Sequence, residues 1–139
     1  MLVQSAGAVT FTQPVMMDIT EGVSIDTTGT NVAIGNTANS VAKGTAIGNE
    51  AHAYIAGAAV GNLANAQYGG VAVGSEANGN SRGVALGERA NADYVGVAVG
   101  WMANARYGAA AVGQQANAYC RGAALGEFAN ARTNCVAAG

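Results

Sequence analysis

Nine glycines, Gly35, Gly48, Gly61, Gly74, Gly87, Gly100, Gly113, Gly126 and Gly139, follow one another at a fixed interval of 13 residues, without insertion or deletion. A period this short holds one small structural unit, which cannot bury a core alone and must stack on its neighbours. The spacing predicts a solenoid.

Every repeat glycine is preceded at two positions by alanine (Ala33 through Ala137) and, except at the last, immediately by an aliphatic residue: Ile34, Ile47, Val60, Val73, Leu86, Val99, Val112 and Leu125. Three residues after the glycine comes alanine again (Ala38 through Ala129), then asparagine in every repeat except the one with His52. A second glycine column (Gly44, Gly57, Gly70, Gly83, Gly96, Gly122) lies four residues before the first. The consensus is G-V-A-(I/V/L)-G-x-x-A-N-A-x-x-x. The V-A-I triplet is rich in β-branched residues and lies between glycines, so it predicts a short strand with the aliphatic residues on one side and alanine on the other. The A-N-A segment predicts a second strand, its alanines on one face and asparagine on the other. Glycines and variable polar residues supply the corners. A helix is disfavoured because two glycines per repeat cost about 1 kcal/mol each against alanine in a helix interior, and the aliphatic column has no helical spacing.

Eight such coils, each rising by about 4.8 Å, make a rod on the order of 38 Å tall. The asparagine column either bonds amide to amide along the stack or satisfies a corner in the left-handed conformation.

One coil is short of core. Alanine buries far less than the roughly 1.5–3 kcal/mol of a fully buried valine or leucine, against an ordering cost of about 1–2 kcal/mol per residue. The triplet alanine faces away from the aliphatic layer, and an unvarying small residue on that second face points to another surface packed against it. Cyclic oligomerisation follows, with Ala46, Ala59, Ala72, Ala85, Ala98, Ala111 and Ala124 as candidate interface residues.

Segments such as Gly83-Val84-Ala85-Leu86-Gly87-Glu88-Arg89-Ala90-Asn91-Ala92 and Gly44-Thr45-Ala46-Ile47-Gly48-Asn49-Glu50-Ala51 resemble the S-V-A-I-G-x-x-A-x-A repeats of trimeric autotransporter adhesin heads, the YadA type. The resemblance covers about residues 31–139. It implies a left-handed parallel β-roll, an all-β solenoid, trimerised about a threefold axis. Two departures stand out: the repeats here keep strictly to 13 residues where that family varies around 14, and no stalk, coiled coil or membrane barrel is present.

Residues 1–30 are different material, with Val9, Thr10, Phe11, Thr12 and the sole proline, Pro14. Val, Ile, Thr and Phe here favour a small β cap, which a solenoid end needs to cover its unpaired edges. They suit equally an arm that docks the rod on a larger particle through Phe11, Pro14, Val15, Met16, Met17 and Ile19. The expected division is therefore a cap or docking arm over 1–30 and the solenoid over 31–139. No basic-then-apolar leader is recognisable and no run of 18 apolar residues occurs, so neither secretion nor membrane insertion is expected. A net charge of −2 with 10% charged residues argues against nucleic-acid binding, which calls for a basic face.

Chemistry has few candidates. His52, the one histidine, sits in the asparagine column and reads as a ladder substitution. Glu50 and Glu76 share one column, Glu88 and Glu127 another, each pair at least two coils apart. That is roughly 10 Å or more, too far for the about 5–5.5 Å of a retaining glycosidase pair. Cys120 and Cys135 fall near 8 Å apart by coil geometry, beyond the usual 4.4–6.8 Å of a disulfide, and are expected as free, mostly buried thiols; no metal or cofactor site is expected. Tyr68, Tyr94 and Tyr107 share a column that Cys120 continues. With Trp101 they are surface-contact candidates, either stacking on host glycans or bridging subunits.

The expected function is non-enzymatic: a homotrimeric virion surface protein, a phage capsid decoration or cement protein made in the host cytoplasm and seated on the major capsid protein through its N-terminal arm. The alternative is a receptor-binding tail fibre, or a bacterial adhesin head on the cell surface if the chain is a fragment of one.

Overall fold

The computed structural model describes the backbone of Val23–Asp26 and all of residues 31–139. The docking-arm candidates Phe11, Pro14, Val15, Met16, Met17 and Ile19 lie outside the described residues. The described part is all-β, with eighteen short strands in two sheets and no helix. Triplet strands, from Asn31–Ile34 through Val84–Leu86 to Val136–Ala138, form one ten-stranded sheet together with Val23–Asp26. Asparagine strands, from Asn39–Val41 to Asn130–Ala131, form a second sheet of eight. Within the repeats every pairing is parallel and in register at 13-residue spacing, as in Ala85↔Ala98 and Asn91↔Asn104. The chain is a parallel β-solenoid of about eight turns. Val23–Asp26 pairs antiparallel with Asn31–Ile34 and occupies the edge of the first coil in the triplet sheet.

The repeat glycine is fixed by close approach. A Cβ on Gly87 would lie 2.5 Å from the carbonyl oxygen of Gly100 in the next coil, and its φ of +134° lies where L side chains are rarely found. No side chain fits there without moving the backbone.

The core inverts one expectation. Ala46, Ala59, Ala72, Ala85, Ala98, Ala111 and Ala124 point into the coil and are fully buried by their own chain. They meet the A-N-A alanines, such as Ala90 and Ala92, in one continuous alanine cluster. They are therefore the solenoid's interior and not an interface for a sister chain. The aliphatic residues face outward instead. The reason is steric: corners a few residues long hold the two sheets so close that only methyl-sized side chains fit between them.

The asparagine column also resolves. It lies on the outer face of the second sheet, partly or fully exposed, and Asn65 Oδ1 accepts a hydrogen bond from Gln67 Nε2 at 3.0 Å. Among the described residues no amide-to-amide bond links successive members of this column. Such a bond occurs instead at a corner, from Asn49 Nδ2 to Asn62 Oδ1 at 3.1 Å.

Both corners use left-handed backbone at ordinary residues. The corner after each repeat glycine places one residue there, Leu63 (φ 55°), Arg89 (55°) and Phe128 (57°) among them. In every coil but the last, the opposite corner places two in succession, as at Ile55–Ala56 and Tyr94–Val95, the requirement of a type I′ turn. Left-handed φ costs about 1–2 kcal/mol per residue for L amino acids. The stack enforces it: corner amides donate to the preceding coil, as in Leu63 N to Asn49 O at 2.9 Å and Val95 N to Ser81 O at 3.0 Å.

Candidate functional site

Three surfaces stand out on the flattened coil. The first is the outer face of the triplet sheet. Its two columns carry Thr45, Ala58, Val71, Val84, Val97, Ala110 and Ala123 beside Ile34, Ile47, Val60, Val73, Leu86, Val99, Val112 and Leu125, with no charged residue in either. Ile34, Ile47, Val60, Val73, Leu86, Val112 and Leu125 are each between 37% and 47% exposed. In-register stacking makes them one flat aliphatic strip along the rod, and a contiguous exposed apolar patch marks an interaction surface. The sequence carried a signal for this. The aliphatic column varies among Ile, Val, Leu and Ala, as an outward column can, while the adjoining alanine column never varies.

The second surface is the corner between the asparagine strands and the following triplets. Tyr68, Tyr94 and Tyr107 lie here, 56%, 52% and 46% exposed. The rings of Tyr94 and Tyr107 stack with centroids 5.1 Å apart and planes 10° from parallel. Tyr119 meets Tyr107 edge-on, also at 5.1 Å. Partial desolvation, then the neighbouring Tyr107, holds the Tyr119 phenol above its ordinary pKa. Shallow grooves follow this edge. One of about 600 Å³ is lined by Tyr68, Arg82, Tyr94 and Val95, and another of about 280 Å³ by Tyr107, Cys120 and Arg121. Trp101, the fourth surface-contact candidate, is not with the tyrosines. It sits on the corner after the repeat glycine, at the opposite edge of the coil, where it is 38% exposed.

That opposite edge is the third surface. Glu50, Glu76, Glu88 and Glu127 all lie on it with a single cation, Arg89. Arg89 donates to Glu76 one coil below at 2.9 Å. This hydrogen bond, then the guanidinium charge, lowers the Glu76 pKa, and the same bond raises that of Arg89. The two side chains are 50% and 45% exposed, so solvent and salt screen the pair.

His52 lies half-buried in the asparagine column, stacked on Tyr54 at 6.4 Å, its Nδ1 without a hydrogen-bond partner. The groove beside it is lined by Tyr54, Ile55, Asn65, Gln67 and Tyr68, with no carboxylate to orient the ring. Cys120 and Cys135 are unpaired. They are not buried as expected: Cys120 is half-buried and Cys135 is exposed, its thiol donating to Thr133 O at 3.3 Å. Cys120 belongs to a corner, where side chains point away from the alanine core, whereas Cys135 continues the second glycine column, in which Ala109 is buried, but lies in the last described coil. Among the described residues no three His, Cys, Asp or Glu side chains gather as a metal site would require. No protein-family model, curated protein or solved structure matches the chain.

Proposed function

We propose that this chain is a non-enzymatic structural protein: a homotrimeric rod whose aliphatic strips face a common axis, carried on a virion surface as a phage capsid decoration or cement protein. The observation that carries the reading is the uncharged aliphatic face, eight coils long, on a solenoid whose buried hydrophobic side chains are all alanine. Covering that face supplies the apolar burial that the coil lacks, at about 25 cal/mol per Å², and three copies about an axis cover it on every protomer at once. The interface thus moves from the alanine column to the aliphatic one. The low charge and the lack of gathered catalytic groups in the described coils support a structural role.

In this reading residues 1–30 seat the rod on the major capsid protein. Alanine at Phe11, Met16, Met17 and Ile19 together is expected to abolish rebinding to capsids stripped of the protein, while the trimer persists. Undiminished capsid occupancy would overturn the docking role. A second reading, a receptor-binding fibre or adhesin head, draws support from the exposed tyrosine edge. It predicts instead that Tyr68→Ala and Tyr94→Ala weaken binding to host cells or glycan arrays.

A further inference from the structure

The charges of the described coils are sorted onto opposite edges. Four of the five carboxylates (Glu50, Glu76, Glu88, Glu127) lie on the corner after the repeat glycine. Five of the six cations (Lys43, Arg82, Arg106, Arg121, Arg132) lie on or beside the tyrosine corner. Among the described residues none of these five cations makes an ion pair.

Two turns carry both signs sorted in this way, while the turns of Lys43, Glu50, Arg106 and Arg121 carry charge on one edge only. Glu76 and Arg82 belong to one turn, and Glu127 and Arg132 to another. The two exceptions coincide: Arg89, the one cation of the acidic edge, and Asp93, the one anion of the basic edge, are in the same turn. Trp101 shares its turn with Arg106 and Tyr107, and Leu63 shares its turn with Tyr68. Within one chain these partners cannot touch, because an extended strand separates the two corners. Rotation about an axis parallel to the stack keeps every turn at its own height. A neighbour related by that rotation therefore presents its acidic corner to this chain's basic corner at the same level.

We infer that sister chains join edge to edge, the glutamate edge of one on the arginine–tyrosine edge of the next, in a head-to-tail ring with matched coils. This rests on the self-association proposed above and names the surfaces that close the ring. Pairing like edges through a twofold axis across the stack would set arginine against arginine, which complementarity disfavours. The same contact brings Trp101 over the Arg106 guanidinium and beside Tyr107, uniting surface-contact candidates that one chain holds apart. It also covers the tyrosine edge, so aromatic packing between subunits takes precedence over sugar stacking there.

The native Cys120 supplies the test. It lies on the basic edge, and Gln115 lies on the acidic edge of the same turn. Five residues of near-extended chain put the two more than 7 Å apart within a protomer, too far for an internal disulfide. In a Cys135→Ser background, Gln115→Cys should oxidise to covalent dimers and a covalent trimer on non-reducing gels. The same background without Gln115→Cys, or with Gln115→Cys and Cys120→Ser, should give none. Arg132→Glu should weaken association about tenfold or more at low salt, with recovery when Glu127→Arg is added. Cross-linking through Cys120 alone, or an oligomer with no cross-link in the paired variant, overturns this inference while leaving the trimer standing. A monomer overturns both.

Discussion

Leucine in place of Ala85 is expected to disrupt the solenoid itself, lowering stability by about 3 kcal/mol and the melting temperature by on the order of 10 °C. Ala85 is fully buried between the two sheets, among alanines that leave no neighbouring side chain able to retreat. Three added carbons must part the sheets, and the in-register ladders on both sides (Ala72↔Ala85↔Ala98) carry the displacement into adjacent coils. The neighbouring Leu86→Ala is the control. Leu86 is 37% exposed on the outer face, so its truncation leaves the coil interior intact and acts only through the subunit contact, with a cost that depends on protein concentration. Thermal melts followed by circular dichroism compare the two. Had the alanine column faced outward, Ala85→Leu would leave the coil undisturbed and Leu86→Ala would carry the cost.

The second large effect belongs to the aliphatic face. Val73→Asp with Leu86→Asp places two carboxylates at paired positions of adjacent triplet strands. Around a threefold axis six such charges converge, in a strip that carries none in the natural chain. Desolvation and like-charge repulsion should weaken trimerisation by about two orders of magnitude or more. The lone coil lacks the burial that this face supplies, so the dissociated chain should also melt at a lower temperature than the natural trimer. Sedimentation against concentration reads the change. An unaltered trimer would remove this face from the interface.

The repeat period, the two strands per coil and their parallel stacking were legible because they rest on columns that recur without insertion. Which side of the triplet looks inward was not. Alternation defines two faces, and the ordinary expectation puts the larger apolar residue inside. Here short corners hold the sheets too close for Val73 or Leu86, and methyl groups alone fit. The corners were partly legible. Gly87 was marked by its column, and its close approach to Gly100 accounts for it. Left-handed backbone at Leu63, Val95 and Phe128 carries no turn signature, because the hydrogen bonds of the preceding coil impose the conformation. The split of charge between the edges was present in the columns but acquires meaning only once the two corners are known to be opposite.

The most direct measurement is sedimentation equilibrium of the unaltered 139-residue chain at micromolar concentration. The account predicts a single species of three times the 13.6 kDa chain mass. A well-folded species at the mass of one chain, its aliphatic strip open to water, would contradict it.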